Sequence, residues 1–231
     1  IDPRKFRLKK RIIIEVCGVG IPASIQNLLN VTGMTILNNF TSAYGADAVA
    51  AMGITYKIYM VPMQVALGFS QGIMPLVSYT FAAGNIKRMK DTILFALKLI
   101  VPALIVVTIG YYAGADVLIS LFMKNETIIA YGSSFLRGFC LGIAFLSIDF
   151  LAVGVFQALG LGRYALVFAI MRKVVLEIPA LIILNWLFPL YGLAYAQFAA
   201  ELILSICAVL MLRHIFRKYG KKQPTAARLS D

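Results

Sequence analysis

The sequence is short of the residues on which most enzyme sites are built. It has one histidine, His214, and three cysteines, Cys17, Cys140 and Cys207. His214 lies in a basic tail with no second histidine, cysteine or acid at ligand spacing, so no metal centre is expected. Each cysteine falls in a different apolar stretch, a spread that forms neither a disulfide framework nor a zinc motif, and all three read as small packing residues. No H-E-x-x-H, G-x-S-x-G or phosphate-binding glycine loop occurs. Asp149 has no second aspartate within an apolar span, which argues against an intramembrane hydrolase. Neither an enzyme nor a cofactor is expected.

Charge is scarce as well. Charged residues make up 14% of the chain and hydrophobic ones 61%, with a mean hydropathy of +0.85, whereas a soluble domain carries about 25% charged residues. Lysine and arginine number 22 against 10 acidic residues, a net charge of +12. In a soluble chain that excess would point to nucleic acid. Here nearly all the basic residues lie between apolar segments or at the two ends, and no basic patch interleaved with aromatics offers base stacking. The expected surroundings are membrane lipid, with no nucleic-acid partner.

Six stretches are long and apolar enough to span a bilayer, at 12–40, 49–81, 92–112, 128–159, 164–188 and 193–212. Pro62 and Pro75 in the second, Pro102 in the third and Pro179 in the fifth are expected to kink or interrupt them. The basic residues alternate. They crowd the arm 1–11, the connection with Lys87, Arg88 and Lys90, the connection with Arg163, and the tail 214–231; Arg172 and Lys173 follow a turn or two into the fifth helix. The other connections hold only Lys124 among basic residues. This bias predicts an all-α membrane bundle in the plasma (inner) membrane with both termini cytoplasmic, and Trp186 and Tyr191 at the outer interface. The expected divisions are a cytoplasmic basic arm at 1–11, a six-helix lobe at 12–213 and a basic cytoplasmic tail at 214–231, whose last stretch, KKQPTAARLSD, is polar and expected to be disordered.

Against this background the polar residues stand out. In KIYMVPMQVALGFSQGIMP, residues 57–75, Lys57, Gln64 and Gln71 recur at intervals of seven, on one helix face with Gly68, Gly72 and Pro75. A lysine in hydrocarbon is expensive, so Lys57 is expected to face the bundle interior or a water-filled cavity. Asp149 stands eleven residues before Gly160, about 16 Å into the bilayer at 1.5 Å per residue, and needs a partner, a proton or water there. Glu201 lies nine residues after Gly192, likewise near the midplane, among small residues that favour close packing. For both acids a structural contact and a functional site remain open readings. Glu177 follows Lys173 by four residues, the spacing of an ion pair on one helix. Gln26, Asn27 and Asn30 either hydrogen-bond across helices or line a cavity that coordinates a cation or orients a polar drug.

The order of these segments resembles the C-terminal six-helix lobe of the MATE (multidrug and toxic compound extrusion) transporters over about residues 6–217. Gly20-Ile21-Pro22 with Gln26 four residues later opens the first helix, and Tyr44-Gly45-Ala46-Asp47 closes it. Gln71-Gly72, Pro75, Ser78-Tyr79 and Gly84 before a basic loop mark the second. Phe156-Gln157-Ala158 with Gly160 ends the fourth, Arg172 and Ile178-Pro179 mark the fifth, and Tyr191-Gly192 and Ala200-Glu201 the sixth. The resemblance implies one lobe of a two-lobe transporter that exports cationic or amphipathic drug-like compounds by alternating access, driven by protons or sodium ions. An N-terminal six-helix lobe is then an expected partner, on the same chain or another. Since the chain begins at Ile1 rather than Met, its arm is expected to be the loop between lobes. In the NorM branch an acid stands eight positions after the first proline, where this chain has Asn30; Asp149 lies near the depth of a second acid of that branch. The expected substrate or cation cavity comprises Gln26, Asn30, Lys57, Gln64, Gln71, Asp149 and Glu201, with Lys57 and Asp149 sharing a hydrated pocket. A lipid or oligosaccharide flippase of the same superfamily and a non-transporting membrane scaffold are the alternatives.

Overall fold

The computed structural model describes residues 10–220, so most of the basic arm and the KKQPTAARLSD stretch lie outside the described residues. All six apolar stretches are helical. They correspond to α1 (Lys10–Ser42), α2 (Ala46–Ala82), α3 (Ile86–Ala113), the pair α5 (Glu126–Cys140) and α6 (Ile143–Ala158), the pair α7 (Gly162–Ile170) and α8 (Ile178–Leu187), and α9 (Gly192–Gly220). A short helix, α4 (Ala115–Ser120), precedes α5, and a π-helical segment, Met171–Glu177, joins α7 to α8. Among the described residues there is no strand. Among the described residues, three helices are long and apolar enough to cross a membrane (Ala46–Ala82, Ile86–Ala113 and Gly192–Arg217), and α5 with α6 makes a fourth span bent by 47°. Helix α9 runs on past residue 213, the expected end of the lobe.

Of the prolines expected to kink or interrupt helices, only Pro179 coincides with a break. Helix α2 runs unbroken through Pro62 and Pro75, and α3 through Pro102. A membrane helix tolerates proline where neighbours or local adjustments satisfy the freed backbone groups. The true interruptions are Leu141–Gly142, between α5 and α6, and the π-helical segment before Pro179. At the first of these the Thr108 hydroxyl of α3 donates to the Cys140 carbonyl at 3.2 Å, satisfying backbone near the bend.

The turns have local causes. Gly84, after α2, adopts a φ of 71°, and the next amide, Asn85 N–H, reaches back to the Thr80 carbonyl, closing the helix as a left-handed C-terminal turn does. Asn85 then caps α3 by accepting from the Arg88 amide at 3.0 Å. Asn125 caps α5, accepting from the amides of Thr127 at 2.9 Å and Ile128 at 3.4 Å. Asn125→Ala should cost about 1 kcal/mol, measured as a lowered midpoint of thermal unfolding of the detergent-solubilised protein. No change would mean that water replaces the cap.

Helix α2 is the spine, packed along α5 and α6 and flanked by α3 and α1. Three hydroxyls stitch it to that bent span: Thr55 to the Gly132 carbonyl at 3.1 Å, Ser70 to Phe150 at 2.7 Å and Ser78 to Ala158 at 2.9 Å. In a bilayer such bonds supply attraction that apolar contact with lipid-like neighbours cannot. Small residues set the closest approaches. A Cβ on Gly138 would sit 2.8 Å from that of Ala194, and one on Gly162 would run into the Gly18 carbonyl of α1. Two large apolar clusters, one around Tyr59, Phe135 and Phe139, the other around Met89, Phe156 and Phe168, fill the bundle with a smaller one around Ile119 and Leu136.

Candidate functional site

Helices α1, α2 and α6 line a half-open cavity of about 450 Å³, within the range of small-molecule sites. Its polar lining is mainly amide, Gln26, Asn27 and Asn30 from α1, Gln64 and Gln71 from α2, and Gln157 from α6, with the Ser70 hydroxyl beside them. Its apolar lining includes Met34, Met60, Met63 and Met74 with Tyr56 and Phe150, and no lining residue is charged. Helical period explains the arrangement. Gln26 and Asn30 are four residues apart, Gln64 and Gln71 seven, and Phe150, Val153, Gly154 and Gln157 form an i, i+3, i+4, i+7 face. Methionine is flexible and polarisable, so this surface accepts apolar shapes of more than one kind while the amides orient polar groups.

Behind the cavity wall lies a buried ionic cluster. The Arg172 guanidinium donates to Glu201 Oε1 at 2.5 Å, with side-chain exposures of 7% and 1%. Lys173 Nζ lies 2.7 Å from Glu177 Oε1 and 2.6 Å from Oε2. The π-helical segment is what turns both neighbours, Arg172 and Lys173, inward, since its wider turn changes the angle between successive side chains. Opposite, on α6, Asp149 is 1% exposed, and no donor reaches either of its oxygens. Its carboxyl adjoins that of Glu201, whose Oε2 also lacks a donor. Two such carboxyls hydrogen-bond to each other only when one carries a proton. A buried anion without a partner is costly, so the pair is the least satisfied polar feature of the described residues. One turn before Glu201 on α9, Gln197 donates to the Tyr59 hydroxyl of α2 at 3.0 Å.

The expected site residues therefore divide. Gln26, Asn30, Gln64 and Gln71 line the cavity; Lys57, Asp149 and Glu201 do not. Lys57 is exposed and makes no ion pair among the described residues, so the expected shared pocket with Asp149 is not formed. The reason is rotational. Asp149 precedes Phe150 by one residue, about 100° around α6, which carries it off the cavity face towards α9. Lys57 lies in depth between the lining residues Tyr56 and Met60, but a heptad drifts about 20° per repeat on a straight helix, so Lys57 falls at the edge of the face that Gln64 and Gln71 share. The basic pair Arg172 and Lys173, expected near the inner interface, is instead buried. A depth count reveals the partnership: Arg172 is ten residues past Gly162 and Glu201 nine past Gly192, which puts both about 14–15 Å in from opposite faces.

Comparison with known proteins agrees with this architecture. The chain is 32% identical over 207 residues to the multidrug export protein MepA of Staphylococcus saprophyticus, covering 89% of this chain and 45% of that protein. It is 32% identical over 204 residues to MepA of Staphylococcus aureus, covering 88% and 45%. The chain thus spans about half the length of these relatives. Among solved structures, an outward-facing multidrug resistance MATE family transporter of the MOP superfamily superposes with a TM-score of 0.89 at 21% identity, over 96% of this chain and 50% of that one. The Vibrio cholerae MATE transporter VcmN in its bent form gives 0.86 at 18% identity, over 92% and 49%. At those identities the likeness is one of fold, a single lobe of an all-α membrane transporter. The MatE family profile matches residues 22–183, most of the described lobe, and the chain belongs to the MatE family.

Proposed function

We propose that this chain is the C-terminal lobe of a cation-coupled multidrug exporter, working by alternating access with an N-terminal six-helix lobe. The observation that carries the reading is the uncharged, amide- and methionine-lined cavity beside a buried carboxyl pair. A methionine-rich wall suits cationic or amphipathic drug-like compounds, and a lining without fixed charge offers no anchor for the charged headgroup that a flippase must grip. The export of drugs by the MepA relatives supports the same direction. The lobe lies in the plasma membrane with both termini cytoplasmic, as the alternating basic connections require.

Coupling is assigned to Asp149 and Glu201. With Arg172 their formal charges sum to −1 when both carboxyls are ionised and to zero when the pair holds one proton, and the Lys173–Glu177 pair is neutral throughout. The Arg172 guanidinium already occupies the position opposite Glu201 that a metal cation would take, which favours a proton as the driving ion. The test is efflux of a fluorescent lipophilic cation from proteoliposomes of the complete transporter. A proton gradient should drive it, and Asp149→Asn should slow it at least about tenfold, the loss of one coupling step of ordinary size. Undiminished efflux in the variant would remove Asp149 from coupling, and efflux driven by a sodium gradient alone would replace the proton.

A further inference from the structure

We propose that Phe150 is a positioning residue, the dry partition through which a cation in the cavity and the Arg172–Glu201–Asp149 cluster sense one another; this rests on the export reading above. Phe150 belongs to both sites. Its side chain lines the cavity, and the Arg172 guanidinium carbon lies 5.2 Å from its ring centroid. It is 5% exposed, and its chain neighbour is Asp149.

The ring's backbone is held firmly. The Phe150 carbonyl accepts the Ser70 hydroxyl of α2 at 2.7 Å. One turn on, Gly154 lies so close to Ser70 that an added Cβ would overlap its hydroxyl. Arg172, tied to Glu201, rests against the ring. Phe150 therefore cannot swing aside without disturbing α2 or the ion pair, and it keeps water from entering between cavity and cluster.

A dry wall one ring thick matters because charges interact most strongly where water cannot screen them. The groups facing the cluster are Tyr56 and Tyr59 from α2, Asp149 from α6, Arg172, Lys173 and Glu177 from the π-helical segment, and Glu201 and Cys207 from α9. When the carboxyl pair gives up its proton, the cluster gains a negative charge and attracts a cation placed across the ring. When it binds a proton, that attraction is lost. Drug cation and proton then compete without sharing an atom, which is the sign that exchange requires. The ring also offers its own face to Arg172, fixing the guanidinium at the wall. Without the ring, water enters, the charges are screened, and the carboxyls become reachable from the cavity.

Two measurements on the complete transporter test this. The first is equilibrium binding of the lipophilic cation in detergent. As the pH is raised until the carboxyl pair loses its proton, the unmodified protein should bind it about tenfold more tightly, and Phe150→Ala less than about twofold, while Phe150→Tyr keeps the full dependence. The second is labelling by a water-soluble carbodiimide followed by peptide mass spectrometry, in which Phe150→Ala should expose Asp149 or Glu201 to modification at least about tenfold faster than in the unmodified protein. If Phe150→Ala does not fold, Phe150→Leu, which narrows but does not remove the wall, should show the same two changes at smaller size. Full pH dependence with slow labelling in the alanine or leucine variant would overturn the partition while leaving the export reading intact. Cation binding that is independent of pH in the unmodified protein would overturn both.

Discussion

Arg172→Ala is expected to destabilise the complete transporter by about 3–5 kcal/mol, because it strands Glu201 in the interior beside a second carboxyl with no cation to balance either. The comparison that isolates the cause is the double variant Arg172→Ala/Glu201→Ala. It removes both charges of a pair whose side chains are 7% and 1% exposed, so it should be more stable than the arginine variant alone. Thermal unfolding of the purified protein in detergent reads the difference. The same exchange at Arg137, whose 2.7 Å bond to Asp116 joins side chains 36% and 58% exposed, should cost under about 1 kcal/mol because water replaces the lost partner. Equal losses at the two arginines would show that burial is not what makes the Arg172 pair matter.

Gly192→Ala should cost about 3 kcal/mol, the upper end of what overpacking produces. The turn between α8 and α9 folds back on the last turn of α8, with the Gly192 amide donating to the Phe188 carbonyl at 2.8 Å. A methyl group there would collide with the Leu184 carbonyl and lie 3.2 Å from the Asn185 nitrogen. Both obstacles are backbone and cannot rotate away as a side chain would. Gly110 is the control: it sits inside α3 with nothing within 4 Å of a built Cβ, so Gly110→Ala should gain about 0.5–1 kcal/mol from helix propensity. Unfolding midpoints that move in the same direction for the two variants would contradict the assignment of cost to crowding.

The elements of this lobe are readable from sequence because hydrophobic length and helical period are local properties. Gln26 and Asn30 recur at four residues and Gln64 and Gln71 at seven, and the structure places all four around one cavity. What period cannot supply is the rotation of one helix against its neighbours. Asp149 was readable as deep but not as turned towards Glu201, and Lys57 as sharing the heptad of Gln64 but not as rotated to the cavity's edge. The π-helical segment has the same character. No residue of Met171–Glu177 itself forbids an α-helix, but Pro179 just beyond has no N–H for the Val175 carbonyl, and the wider turn there also accommodates two adjacent cations packed inward against acids. Prolines misled for a related reason, since in α2 and α3 they are absorbed by helices that neighbours hold straight through them.

The amides of α1 have a consequence for how the protein is made. Helix α1 carries more amides than its length needs: Gln26, Asn27 and Asn30 line the cavity, and Asn38 and Asn39 follow them. A segment leaving the translocon is sorted into lipid by its own hydrophobicity, and each such amide weakens that partitioning. Yet the residues that grip α1 most closely, among them Gly162 of α7 against Gly18, are synthesised more than a hundred residues later. The first helix of the lobe is therefore held less firmly by its own composition than by the fifth span, which reaches it late in synthesis. The polarity that makes the cavity thus shifts part of that helix's anchoring from lipid to protein.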